Sequence, residues 1–226
     1  MKYFSLYKLF FIIGLLIASG VANAQETPQL LITWESQNYQ PPTYFGKNFP
    51  TQNTVADFSL AMIHNNRFVD LSRYNIRWYQ NNQLLEQGAG LTKISINILP
   101  NGDGIVSIRA VVLNYQQIPE ISDLISFVIP QPMLVINAPY ENKKIVSGKS
   151  VFEAMPYFFN IKTLNDLSFR WLINNEAPTL KTFEKPGVLE LNLPQLPSNY
   201  LITINAFASS KINDNLASEQ IELTAR

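Results

Sequence analysis

Ile76-Arg77-Trp78-Tyr79, followed by Asn81-Asn82, recurs in this chain as Phe169-Arg170-Trp171-Leu172, followed by Asn174-Asn175. Every matched position is displaced by 93 residues, which indicates that one structural unit occurs twice. In both copies the Trp shares a strand face with the apolar residue two positions before it. An Asn-Asn pair accepts the positive φ angles of a two-residue hairpin turn. The motif therefore predicts two equivalent core strands, with Trp78 and Trp171 facing inward, and a tight turn after each.

The pattern outward from this motif is that of an all-β chain. Short apolar stretches are separated by Asn, Pro, Gly and Ser, and period-2 alternation is clear at 94–98, 106–112 and 189–193. An inward Trp, a hairpin and further alternating strands are typical of strand C onward in an immunoglobulin-like sandwich. We predict two tandem immunoglobulin-like β-sandwich domains, at 25–130 and 131–226. The proline-containing connection at 129–133 favours a short, semi-rigid link between them.

The first 24 residues have the pattern of a secretory signal peptide. Lys2 and Lys8 precede an uncharged run over 9–17, and the small-residue site Ala22-Asn23-Ala24 follows. The run is shorter than the ~20 apolar residues of a transmembrane helix; an uncleaved membrane helix is the alternative. We expect a mature chain that begins at Gln25 and is periplasmic, cell-surface or extracellular, without a stable membrane anchor after cleavage.

Charge and cysteine content exclude several kinds of function. Loss of Lys2 and Lys8 would leave 15 of the 17 basic residues against 17 acidic ones, without a cluster of like charges. Nucleic-acid binding requires clustered Lys and Arg, so no nucleic-acid partner is expected. The chain has no cysteine, which rules out disulfides, thiol catalysis and cysteine-based metal sites. We expect no cofactor and no metal, and domains that are stabilised by their apolar cores alone.

Motifs for catalysis are weak. His64, the single histidine, lies at the end of the predicted strand 55–63, and we interpret it as a turn or surface residue. Asn101-Gly102-Asp103-Gly104 lacks the full calcium-loop pattern and is interpreted as a turn, as is Asn213-Asp214-Asn215. A hydrolase with two carboxylates in a cleft is kept as an alternative. Its acids would come from a scattered set: Glu35, Asp57, Asp70, Glu120, Asp123, Glu153 and Asp166. We therefore expect no catalytic residues and no enzymatic activity.

The segment 38–54 is the best candidate for a binding site. It is a long, polar and proline-rich connection that carries Tyr39, Tyr44, Phe45 and Lys47, together with Phe49. Long connections are uncommon unless they are functional or disordered. One interpretation is a platform for a glycan, a peptide or a protein, because aromatic rings give contact area at a small entropic cost. The other is that the loop folds back and packs its rings on the sandwich. Four further rings are interpreted as core or domain-interface residues: Tyr140, Tyr157, Phe158 and Phe159.

Several longer motifs link the two halves of the chain. They are W-x4-Y-x-P-P-x-Y-x-G-K-x-x-P over 34–50, Ala138-Pro139-Tyr140, Pro156-Tyr157-Phe158-Phe159-Asn160 and Leu164-Asn165-Asp166-Leu167-Ser168-Phe169-Arg170-Trp171. Together they resemble a family of uncharacterised bacterial exported proteins with tandem Ig-like or PKD-like modules. The resemblance spans nearly the whole mature chain and implies export and two sandwiches, while it supplies no catalytic residue.

These observations lead to one functional prediction and one alternative at the same location. We predict a non-enzymatic cell-envelope or extracellular protein whose modules act as a spacer or scaffold for protein interaction. The alternative is an adhesin or carbohydrate-binding protein that uses the aromatic loop 38–54. The expected partner is accordingly an envelope or extracellular protein, or a glycan.

Overall fold

The computed structural model describes residues 27–138, 140–178 and 185–226. The predicted signal peptide lies outside the described residues. The first half of the described chain forms eight strands: β1 (Gln29–Ser36), β2 (Val55–His64), β3 (Arg67–Phe68), β4 (Asn75–Gln80), β5 (Gln83–Ala89), β6 (Lys93–Asn97), β7 (Ile105–Tyr115) and β8 (Ile118–Val128). The second half forms seven: β9 (Met133–Asn137), β10 (Lys144–Ile145), β11 (Gly148–Tyr157), β12 (Leu167–Ile173), β13 (Val188–Leu193), β14 (Leu201–Ser210) and β15 (Leu216–Ala225).

The strands form two sandwiches, one after the other along the chain. In the first, a sheet in which β2 pairs with β1, β3 and β6 packs on a sheet of order β5-β4-β7-β8. In the second, a sheet of order β13-β11-β9 packs on a sheet of order β10-β15-β14-β12. In the usual immunoglobulin lettering, β1, β2 and β6 are strands A, B and E of one sheet, and β5, β4, β7 and β8 are strands C′, C, F and G of the other. This is the immunoglobulin arrangement. The predicted all-β chain with two tandem immunoglobulin-like sandwiches is confirmed.

Each sandwich has its own apolar core, and the repeated tryptophan lies inside it. The Trp78 side chain is fully buried, and only 2% of Trp171 is exposed. The indole Nε1–H of Trp78 donates to the carbonyl of Leu91 at 2.9 Å. In the described part of the chain, Nε1 of Trp171 has no partner. The two cores therefore have the same buried residue on equivalent strands, β4 and β12.

The Asn-Asn pairs form the turns that the sequence predicts, and their first members also connect two strands. The φ angles are 50° and 66° at Asn81 and Asn82, and 50° and 69° at Asn174 and Asn175. Positive φ at both central residues is the signature of the type I′ hairpin turn.

The side chain of the first Asn in each turn has a second role. The amide Oδ1 of Asn81 accepts from the backbone N–H of Ser107 at 3.0 Å, and the backbone N–H of Asn81 donates to the Ser107 carbonyl at 2.9 Å. Asn174 makes the same pair of bonds with Thr203, at 2.9 and 2.8 Å. One residue thus forms the turn after β4 and fixes its end to β7, and its counterpart does the same for β12 and β14.

Candidate interaction site at the domain junction

Residues 37–54, which connect β1 to β2 and which we call the junction loop, are held in shape by asparagine side chains. The amide nitrogen Nδ2 of Asn48 donates to the carbonyls of Ser36 and Asn38, at 2.8 and 2.7 Å. That of Asn38 donates to the Phe49 carbonyl at 3.2 Å and to the Thr51 hydroxyl at 3.1 Å. The side chains supply the hydrogen bonds that a strand ladder would otherwise provide, so this long loop has a defined conformation.

Aromatic packing attaches the root of the junction loop to the first sandwich. The Trp34 ring stacks on Phe127 at a centroid distance of 5.8 Å, and Phe49 lies 6.0 Å from the same ring. The ammonium Nζ of Lys47 lies 3.6 Å from the Trp34 ring centroid, within the range of a cation–π interaction. The root is therefore part of the first domain.

The outer part of the junction loop contacts the second sandwich. The backbone N–H of Tyr39 donates to the Ile161 carbonyl at 2.8 Å, and its side chain packs against the second apolar core. The Tyr44 ring meets Tyr157 at 6.1 Å and Phe158 at 6.2 Å, both edge to face. Because one loop carries rings into both domains, it joins the two sandwiches in addition to the backbone at 129–132.

The backbone of Phe158 is strained at this contact. Its φ angle is 61°, a left-handed conformation that is a true outlier for a bulky side chain. Such a conformation costs about 1–3 kcal/mol and persists where the surrounding structure imposes it. Here the edge-to-face contact with Tyr44 is part of that surrounding structure, which marks the position as one constrained by the junction.

Three asparagines of the second domain complete the junction. The side-chain Nδ2 of Asn160 donates to the Gln52 carbonyl at 3.2 Å. Asn160 is itself fixed by the Asn213 amide, which donates to its carbonyl at 2.7 Å, and by Oδ1 of Asn215, which accepts from its N–H at 2.9 Å. The segment 213–215, interpreted from sequence only as a turn, thus positions a residue that contacts the first domain.

The four residues predicted for binding separate into two groups in the structure. Tyr39 and Tyr44 contact the second domain, and Lys47 lies over Trp34. Phe45 lies between them in sequence and is 96% exposed. Each of the two interpretations therefore applies to part of the loop. Tyr39, Tyr44 and Phe49 pack on the sandwiches, whereas the Phe45 ring is exposed to solvent. A binding role for these residues stays a prediction.

His64 is the last residue of β2, directly before the turn at 65–66, as the sequence interpretation places it, and its side chain is half-buried rather than fully exposed. Its Nδ1 lies 2.8 Å from the Tyr115 hydroxyl, and the two rings meet edge to face at 5.6 Å. Tyr115 is 3% exposed and belongs to the first core. The sequence placed His64 correctly at the end of β2, but the tyrosine that covers it comes from β7, which no local pattern reveals.

The carboxylates are spread over the described chain, and backbone hydrogen bonds stabilise the charged forms of Asp70 and Asp166. The N–H of Ser72 lowers the pKa of Asp70, and the N–H groups of Thr163 and Lys162 lower that of Asp166. A glycosidase acid needs the opposite shift. A cavity of about 290 Å³ at the β2–β3 edge includes Asp70 in its lining, and one of about 150 Å³ near Ile145 has no carboxylate side chain in its lining.

No group of three or more His, Cys, Asp or Glu side chains within 27–138, 140–178 and 185–226 could hold a metal ion. Over the same ranges, the structure contains no helix whose length and apolar character would allow it to cross a membrane.

Ionisation of Tyr39 is expected to weaken the junction at high pH. Burial raises the pKa of the Tyr39 hydroxyl above its ordinary value of 10.0, and the charges of Glu153 and Tyr157 raise it further. The docked state therefore holds this proton more tightly than the undocked state does. Docking should be unaffected below pH 10 and should weaken as the pH rises through the raised pKa. An interdomain distance distribution recorded from about pH 8 to 11 should broaden at the upper end, and Tyr39→Phe should remove most of that change.

Neither a protein-family model nor a curated protein sequence matches this chain. Among solved structures it is similar to the fibronectin(III)-like modules of Clostridium thermocellum CbhA, at 14% identity and a TM-score of 0.30, over 87% of this chain and 94% of that one. It is also similar to a chimeric titin Z1Z2, at 8% identity and a TM-score of 0.34, over 90% and 98% of the two chains. The chain is also similar to the three N-terminal domains of the bacteriophage RB49 outer capsid protein Hoc, at 10% identity and a TM-score of 0.32, over 88% of this chain and 70% of that one. Scores this low carry no functional inference.

Proposed function

We propose that this chain is a non-enzymatic, exported scaffold of the cell envelope or the extracellular space, in which two sandwiches are held in one mutual orientation for protein interaction. The observation that carries the proposal is the junction loop, which is rooted on Trp34 in the first domain and packs Tyr39 and Tyr44 on the second. Domains joined by a linker alone move relative to each other by default. A loop that bridges both cores supplies the restraint that a spacer requires.

Export is the part of this proposal that rests on sequence alone, whereas the lack of catalysis rests on the sequence and the structure together. The signal-peptide pattern of residues 1–24 supports export. The scattered acids, with the lowered pKa values of Asp70 and Asp166, support a role other than hydrolysis. The cysteine-free composition is consistent with two domains that reach stability through apolar packing.

The proposed rigidity can be measured with a pair of spin labels, because a chain without cysteine accepts labels only where they are introduced. Lys93 on β6 and Glu219 on β15 are exposed and lie in different sandwiches. We expect the Lys93→Cys, Glu219→Cys chain to give one narrow distance distribution by pulsed electron spin resonance. Adding Tyr44→Ala to this labelled chain removes the contacts of the Tyr44 ring with Tyr157 and Phe158. The distance distribution should then become broader.

Phe45→Ala is the matched control for this measurement. It removes a ring of similar size from the neighbouring position, but that ring is 96% exposed and contributes no contact to the junction. The distribution should therefore remain narrow. A broad distribution in the unsubstituted chain, or equal broadening by both substitutions, would contradict the scaffold proposal.

A second candidate function rests on the exposure of Phe45. An aromatic ring in solvent on a loop with a fixed conformation is suited to serve as an anchor for a glycan or a protein partner. An adhesin or carbohydrate-binding role predicts that binding on a glycan array is lost in Phe45→Ala, while the spin-label distances stay unchanged. Tyr44→Ala is unsuited to this question because it also alters the domain junction.

A further inference from the structure

The outer surface of the β5-β4-β7-β8 sheet carries a row of four side chains that lie in register across its strands, which we call the Arg109 row. Tyr79 on β4 pairs with Leu84 on β5 and with Arg109 on β7, and Arg109 pairs with Leu124 on β8. Trp78 points into the core, so its neighbour Tyr79 and the residues aligned with it point outward. The Arg109 row therefore places an arginine and a tyrosine between two leucines.

Arg109 carries a charge that forms no ion pair with an acid of the described chain. Its guanidinium carbon lies 4.2 Å from the Tyr79 ring centroid, and its Nε is buried without a hydrogen-bond partner among the described residues. Arg77, one row away on the same surface, is different. Its Nη1 lies 3.9 Å from Oε1 of Glu120, and its Nε donates to Oε1 of Gln87 at 3.3 Å. The guanidinium of Arg109 is thus held by stacking while its charge is uncompensated.

The side chains around the Arg109 row supply no negative charge. The flanking rows consist of Gln87, Arg77, Val111 and Ser122 on one side, and of Ser107 and Ser126 on the other. A partner that covered the two leucines would also remove Arg109 from solvent. Burial of an unpaired charge costs free energy, whereas a carboxylate accepts hydrogen bonds from two guanidinium nitrogens at once. Charge complementarity therefore requires an acidic group in the partner.

The two leucines define what must flank that acid. Leu84 is 46% exposed and Leu124 is 54% exposed. Neighbouring strands are about 4.8 Å apart, so the leucines on β5 and β8 are about 14 Å apart with Arg109 between them. In an extended segment every second side chain points to the same side, and three such side chains span about 13 Å. A segment that crosses the strands can therefore place an apolar side chain on each leucine and an acid between them.

We propose that the Arg109 row binds an extended segment of another protein with the pattern apolar-x-acid-x-apolar. The proposal rests on the scaffold role and deepens it, because it names a binding surface and the chemistry of the partner. The acid accepts hydrogen bonds from the terminal nitrogens of Arg109, and the apolar side chains pack on Leu84 and Leu124. Stacking on Tyr79 orders the guanidinium before binding, which lowers the entropic cost of association. Tyr and Arg are also enriched among the residues that dominate binding energy at interfaces.

A capped peptide of sequence Thr-Leu-Thr-Glu-Thr-Leu-Thr is a suitable probe, because it has this pattern and threonine favours an extended backbone. Nuclear magnetic resonance titration of the isotope-labelled chain should give a dissociation constant of about 1 mM, with the shifted signals on β4, β5, β7 and β8. The same peptide with Gln in place of Glu should bind about tenfold more weakly, because a hydrogen bond between charged groups is lost.

Arg109→Gln should weaken binding of the Glu peptide by the same factor and should leave binding of the Gln peptide unchanged. Arg77→Gln is the matched control on the same surface, because that charge already faces Glu120. Arg170→Gln is the control in the second sandwich. Arg170 also stacks on a ring, that of Phe207 at 4.4 Å, but its row continues to Ser218 rather than to a leucine. Neither control should change the affinity, and a dispersed spectrum confirms that each variant is folded.

Several results would overturn this proposal. They are no binding of the Glu peptide up to about 10 mM, and equal affinity for the Glu and Gln peptides. Tighter binding of dextran sulfate than of the peptide at Arg109 would indicate an anionic polysaccharide instead. Self-association that Arg109→Gln abolishes would indicate a second copy of the chain. The spin-label distances report only the junction, so a chain that keeps a narrow distribution and binds no peptide contradicts this proposal alone.

Discussion

Replacing Trp171 with alanine is expected to unfold the second sandwich and to leave the first one folded. The side chain is 2% exposed and lies in the second core, which is separate from the first. Substitution of a buried Trp by Ala typically costs about 3–5 kcal/mol, against a total domain stability of about 5–15 kcal/mol. No disulfide adds to that margin, because the chain has no cysteine.

Nuclear magnetic resonance with urea denaturation can separate the two domains in this experiment. Signals from the first sandwich should stay dispersed while those of the second collapse, and the urea midpoint of the second should fall. A milder substitution gives the control: Trp171→Phe keeps an aromatic ring in the core and should lower the midpoint less than Trp171→Ala does. Trp78→Phe, in the first sandwich, also loses the hydrogen bond to the Leu91 carbonyl. An unchanged midpoint in Trp171→Ala would show that the indole contributes nothing to the core.

Replacing Asn81 with alanine is expected to destabilise the first sandwich by roughly 2–3 kcal/mol. The position has φ of 50°, which costs about 1–2 kcal/mol for an ordinary L-residue and less for Asn. The change also removes the side-chain bonds to the Ser107 N–H and the Leu99 carbonyl, each of which contributes about 1 kcal/mol. Equilibrium unfolding in urea measures the sum of the two effects.

Asn81→Gly separates the turn from the hydrogen bonds, because glycine accepts the positive φ angle but has no side chain. It should lose less stability than Asn81→Ala, and the difference reports the backbone strain of alanine minus the extra conformational entropy that glycine loses on folding. Equal losses for the two substitutions would mean that the turn conformation contributes nothing. Asn174→Ala and Asn174→Gly should repeat this order in the second sandwich, where Thr203 replaces Ser107.

The fold could be predicted from sequence wherever a strand is long enough to show alternation. The alternating stretches at 106–112 and 189–193 lie within β7 and β13, and the strand predicted at 55–63 corresponds to β2 (Val55–His64). The two-residue strands β3 and β10 were not predicted, because two residues show no period. β10 is also defined by its parallel pairing with β15, about 80 residues away along the chain, and local patterns carry no information about such distant partners.

The candidate site was only partly predictable for the same reason. The sequence indicates that Tyr44 and its neighbours are important, because a long aromatic loop is uncommon. It does not indicate which core receives them, since Tyr157 and Phe158 approach Tyr44 only in the folded chain. The role of Asn160 was missed entirely. The residues that fix it, Asn213 and Asn215, lie more than 50 positions away along the chain, where their pattern indicates only a turn.

The junction loop makes the two copies of the repeated unit unequal in how freely they can vary. The connection between β1 and β2 has 18 residues and contacts both domains, whereas the matching connection between β9 and β11 has 10 residues and includes the short strand β10. An insertion in the first connection would alter the relation of one sandwich to the other. The length of the first connection would then be constrained more strongly than the rest of the two units. One unit therefore determines the relative orientation of the sandwiches, and the other provides the surface on which the loop packs.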